Sequence, residues 1–159
     1  DLIGLRSMYR LDDCNINEKI DSVIKYIVCD DFHNKIKDGY GILVAGQGRY
    51  HGMGWDPKLP GYFDVSDYAR TSPHKMVFYA NIISRYPVAV KSRWYSDVIE
   101  HLEQFKTEIG TYCFPKEYLR EQSGYAVQGF HLGLGENKRK KIWCEVESTF
   151  IMLILKKVL

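Results

Sequence analysis

No apolar run in the chain approaches the length needed to cross a membrane, and no signal peptide is visible in it. Cysteine is sparse. Cys14, Cys29, Cys113 and Cys144 stand far apart, without the C-x-x-C pairs of a zinc or redox site, so neither a metal nor a disulfide framework is expected. Reduced thiols in a soluble, cytoplasmic protein are the expectation. Because the chain begins with Asp, a segment removed before it could have carried a signal. Charge of one sign is also lacking. A net charge of +2 is too small to indicate nucleic acid, and the short run Lys138-Arg139-Lys140-Lys141 reads as a solvated loop. No G-x-x-x-x-G-K-[ST] phosphate loop and no G-x-S-x-G nucleophile elbow occurs, so these motifs name neither a cofactor nor a reaction.

Apolar periodicity is plentiful. Residues 15–32 read as an amphipathic helix with Ile20, Val23, Ile24, Ile27 and Val28 on one face, started by Asn15 and Glu18 as a capping box. Residues 92–108 repeat the design, with Trp94, Val98, Leu102 and Phe105 as the stripe and Ser92 as cap. Two other segments are apolar nearly all round, which calls for burial on every side. They are residues 73–86, with Ser72 as cap and Pro73 in the first turn, and residues 143–158. Residues 2–11 look like the end of a third. The order is buried, amphipathic, buried, amphipathic, buried, which is a repeat of helical hairpins with inner and outer members.

The long connections repeat as well. Ile42–Ala45, a turn at Gly46-Gln47-Gly48 and Arg49–His51 predict a β-hairpin, and Tyr118–Glu121, Gln122-Ser123-Gly124 and Tyr125–Val127 predict a second. Each is followed by one half of a doubled phrase, "GRYHGMGWD" from Gly48 and "GFHLGLGEN" from Gly129.

The stretch from "GFHLGLGENKRKK" into "WCEVESTFIMLILKKVL", together with "ISRYP" at Ile83–Pro87, resembles the α/α toroid superfamily. In particular it resembles uncharacterised proteins akin to the prenyltransferase and squalene-cyclase (terpenoid cyclase-like) repeat group. The resemblance implies an all-α fold: repeated helical hairpins of an incomplete toroid, with short β-hairpin insertions. Residues 1–159 would form one such domain, the C-terminal part of a longer chain. A missing N-terminal segment or partner chains would cover its apolar ends. The resemblance stops short of chemistry. No D-x-D-D motif is present, Asp12-Asp13-Cys14-Asn15 suits a helix start, and the zinc ligands of protein prenyltransferases have no counterpart that can be placed here.

The candidate site residues carry two readings each. His51 and His131 sit in glycine-rich connections, suited to acid–base work at a cavity mouth or to packing in a turn. His33, His74 and His101 are expected to face solvent. Asp64 belongs with Asp56 and Asp67 to an acidic loop that binds a ligand or caps turns. Glu147, on an apolar helix with Glu145 before it, is either a cavity carboxylate or an acid favoured by the helix dipole. Tyr50, Trp55, Tyr79 and Trp143 would line a substrate cavity. Three function classes follow. One is binding or transforming an apolar, isoprenoid-like small molecule in the ring cavity. Another is a carbohydrate-active enzyme of glycosidase or polysaccharide-lyase type. The last is a non-catalytic protein-interaction module.

Overall fold

The computed structural model describes residues 2–9, 13–36, 41–55, 58–119, 134, 139–140 and 142–156. It is mostly helical. The helices are α1 (Leu2–Met8), α2 (Cys14–Ile27), α3 (Asp30–Lys35), α4 (Val65–Ala69), α5 (Pro73–Ile83), α6 (Pro87–Val90), α7 (Arg93–Glu103) and α8 (Trp143–Leu155). Between α3 and α4 lie β1 (Gly41–Gly46) and β2 (Arg49–Trp55), an antiparallel hairpin. Its two-residue turn puts Gln47 at φ 49° and Gly48 at φ 72°, the left-handed pair that matches strand twist.

The helix from 15 to 32 is broken in two. Asp13, rather than Asn15, caps α2, its carboxylate accepting from the amides of Asn15 at 3.0 Å and Ile16 at 3.1 Å. The helix stops at Ile27 because side chains take over its last carbonyls. His33 Nε2 bonds the Ile27 oxygen at 2.9 Å, and Tyr62 Oη donates to that of Val28 at 2.9 Å. Cys29 is extended and α3 begins with Asp30 and Asp31 in its first turn, where acids suit the dipole.

α7 is shorter than the expected 92–108. Ser92 does cap it, accepting from Tyr95 N at 3.3 Å, but past Glu103 the chain folds back through Gly110, at φ 87°, and Lys106 pairs with Tyr112. Ser72 makes no side-chain cap for α5; its backbone carbonyl accepts from Lys75 instead. Tyr118 and Leu119, expected in a strand, lie in a 3₁₀ turn over Lys116–Leu119, and residues 120–127 of that expected hairpin are outside the described residues.

α5 is the centre of the core. Met76, Val77, Ala80, Ile82 and Ile83 are buried, and the helix touches α1, α4, α7 and α8. That explains a helix apolar nearly all round. α2 contributes Ile20 and Ile24, α7 contributes Trp94, Val98 and Leu102, and α8 contributes Ile151, Met152 and Leu155. Buried tyrosines tie the elements together. Tyr86 Oη donates to Leu2 O at 2.9 Å and Tyr95 Oη to Leu155 O at 2.8 Å, and burial pushes both phenols up, Tyr86 to about 12.

Candidate functional site

Positions 50, 51 and 55 lie on β2, and the register decides which of them share a face. Val44 pairs with His51 and Leu43 with Gly52, but Ile42 pairs with Gly54, leaving Met53 as a bulge. Without a bulge, positions 50 and 55 would alternate to opposite faces. With it, 50, 52 and 55 fall on one face, and 51 and 54 on the other. The side chains of Tyr50, His51 and Trp55 lie outside the described residues, as do His131 and Asp56 entirely.

Asp64 is a cap. Its carboxylate accepts from Asp67 N at 2.8 Å and starts α4, while Asp67 pairs with Arg70 at 2.8 Å on the surface. Tyr79 is half-buried on α5, and Trp143 is buried at the start of α8. Glu147 is only 4% exposed, and its two oxygens lie 3.0 and 2.9 Å from the amide of Leu134, which donates to them. A hydrogen bond to a charged acceptor contributes about 1.5–3 kcal/mol, so this carboxylate fastens residue 134 to α8. Glu145 accepts from the Thr111 hydroxyl at 2.6 Å.

α5 and α8 pack on each other, and each also carries apolar residues that are only half-buried. Phe78 and Tyr79 on α5, and Val146, Phe150 and Leu153 on α8, are each half-buried. The three α8 residues follow helical spacing and form one stripe. On another side of α8, Thr149, Glu145 and Ser148 hold the segment 107–114 by hydrogen bonds.

A second constellation is absent from the sequence reading. His33 was expected in solvent but is fully buried, its ring stacked on Tyr62 with centroids 3.5 Å apart. Because Nε2 faces a carbonyl it carries the proton, and Nδ1, buried, has no hydrogen-bond partner among the described residues. Burial chiefly lowers the His33 pKa from 6.5 to about 4; the Ile27 carbonyl and Asp30 oppose that shift and Lys58 adds to it. Asp30 Oδ1 lies 2.8 Å from Tyr62 Oη and shares the single phenolic proton with the Val28 carbonyl, Arg93 pairs with the same carboxylate oxygen at 3.1 Å, and the guanidinium lies 5.6 Å from the Tyr62 ring centroid. Burial, with the Asp30 bond, raises the Tyr62 phenol to about 12. Exposed Tyr26 and Phe63 extend the ring contacts through Phe32 and His33. Twenty-odd residues of intervening chain hide this pairing; the one local signal is Asp30-Asp31, acids that mark a new helix start. His101 also departs from expectation. It is half-buried, with Nε2 2.8 Å from Tyr118 Oη, and burial lowers its pKa.

Among the described residues, no group of three or more His, Cys, Asp and Glu is placed to hold a metal ion, and no helix is long and apolar enough to cross a membrane. Comparison with protein-family models, curated proteins and solved structures finds no match to this chain.

Proposed function

We propose that this chain is an α/α-toroid-type module that binds an apolar, isoprenoid-like small molecule through the half-buried apolar residues of α5 and α8. The observation that carries the reading is the half-open apolar stripe of Val146, Phe150 and Leu153 on α8, beside a helix that presents Phe78 and Tyr79. The architecture supports it. α5 touches apolar α1 and apolar α8, while amphipathic α2 reaches α1 and amphipathic α7 reaches α5, as inner and outer helices of a toroid would.

The role is binding. Glu145 and Glu147, the carboxylates on either side of Val146, are committed to the Thr111 hydroxyl and the Leu134 amide, and Ser148 to the Phe114 amide and the Cys144 carbonyl. If the ligand is transformed, proton transfer falls to His51 or His131. Fluorescence titration with a farnesol-length isoprenoid alcohol tests the reading, with a soluble oligosaccharide as the comparison for a carbohydrate-active protein. Burial of one aromatic side chain is worth roughly 1.5–3 kcal/mol. Phe150→Ala and Tyr79→Ala are therefore each expected to weaken isoprenoid binding about tenfold or more. Equal affinity in the variants, or saturable binding of the oligosaccharide alone, overturns it.

A further inference from the structure

The segment after α7 is fastened to α8 by two backbone amides. Tyr112 N donates to Thr149 Oγ1 at 2.9 Å and Phe114 N to Ser148 Oγ at 2.8 Å. The residue between them is Cys113, which is exposed. The Ser148 hydroxyl that receives the Phe114 amide itself donates to the carbonyl of Cys144, at 2.5 Å, so one oxygen bridges the backbones beside both cysteines. Standard bond lengths then confine the Cys113 and Cys144 Cα atoms to within roughly 10 Å of each other. Burial is the main cause that raises the Cys144 pKa, and the charge of nearby Cys113 adds to it. Lys116 opposes that rise and Glu117 adds to it.

We propose that Cys113 and Cys144 form a dithiol site that a small disulfide oxidises to an intramolecular disulfide, locking the 105–114 segment to α8. A disulfide needs Cα atoms about 4.4–6.8 Å apart, so closure asks the exposed Cys113, between buried Tyr112 and Phe114, to draw in toward Cys144 from within that bound. The steps balance with glutathione disulfide as oxidant. The exposed Cys113 thiolate attacks one sulfur of glutathione disulfide, whose S–S bond breaks and releases one glutathione thiolate. Cys144, half-buried and held as a thiol, gives its proton to solvent and attacks the Cys113 sulfur of the mixed disulfide. That bond breaks in turn and releases the second glutathione. Two protein thiols are oxidised, and one glutathione disulfide is reduced to two thiols.

The test uses the full chain carrying Cys14→Ser and Cys29→Ser, with helical circular dichroism confirming that it folds. After treatment with glutathione disulfide, intact mass spectrometry is expected to find the chain lighter by two hydrogen atoms and free of glutathione. Adding Cys144→Ser is expected to trap glutathione on Cys113. In the unsubstituted protein, non-reducing peptide mapping is expected to join the Cys113 and Cys144 peptides. Glutathione retained when both thiols are present, a disulfide between two chains, or no loss of thiols overturns the proposal.

Discussion

A single imidazole does unusual structural work at His33. Its Nε2–H takes the carbonyl that ends α2, and its face lies against Tyr62, so the ring is held neutral and out of water. Protonation would place a charge and a second N–H at a buried nitrogen that has no acceptor among the described residues. Asp30 is the nearby carboxylate that moderates the cost, and Lys58 and Arg93 are cations on the same cluster. The sign follows from the direction of the shift. The folded pKa, about 4, is below the unfolded value of 6.5, so the unfolded chain binds the proton more readily. The contribution to stability is complete above pH 6.5, declines as pH falls toward 4, and changes no further below that. Its full size is on the order of 3 kcal/mol. Urea unfolding at steps between pH 7 and pH 4 is expected to record this loss, and His33→Phe should flatten that part of the profile. An equally steep profile in the variant would remove His33 as the cause.

Among the elements, the long loop into α4 depends on one glycine. Gly61 has φ 65°, and a Cβ there would stand 2.7 Å from the Tyr68 Cβ and 3.1 Å from the Asp64 carbonyl oxygen. The residues on either side are both committed, since Trp94 Nε1 donates to Pro60 O at 2.8 Å and Tyr62 stacks on His33. Gly61→Ala must therefore displace either α4 or the His33 stack. It is expected to destabilise the fold by about 1–3 kcal/mol, read from the urea midpoint, whereas Gly48, with open space at its Cβ position, lacks that clash. Helix identity was legible in the sequence wherever apolar spacing ran for three turns, as in α2, α5, α7 and α8. Helix ends were not. The break after Ile27 depends on His33 and on Tyr62, and no periodicity within 15–32 encodes what a distant phenol will do. The hairpin turn was legible because Gln47-Gly48 is local, but the bulge at Met53 was hidden, since glycines on both sides give the strand no apolar alternation to break.

At the scale of the molecule, Ser72 and Ser92 show why capping residues alone do not place ends: both precede helices, and only Ser92 uses its hydroxyl as a cap. The all-round apolar character of 73–86 forecast the burial of Met76, Val77, Ala80, Ile82 and Ile83 on a helix that touches four others, but α8 is buried on one side only, and Val146, Phe150 and Leu153 stay half-buried. Of the candidate site, Glu147 was legible as the odd carboxylate on an apolar helix, but its partner is a backbone amide, which no residue pattern marks. The same invisibility applies to the two amides donated from 112 and 114 to α8. They carry a consequence in time rather than in space. An amide exchanges its hydrogen with solvent only when its bond opens, and here the acceptors are hydroxyls rooted in a core helix. Tyr112 and Phe114 amides are thus expected to exchange with deuterium at the slow pace of the α8 backbone. The amide of Ile109, at the exposed tip of the same excursion, should exchange far faster. Native-state exchange read by NMR would separate the two rates, and a common fast rate across 105–114 would mean that the segment opens without α8. Measured in seconds rather than ångströms, the segment belongs to the last helix.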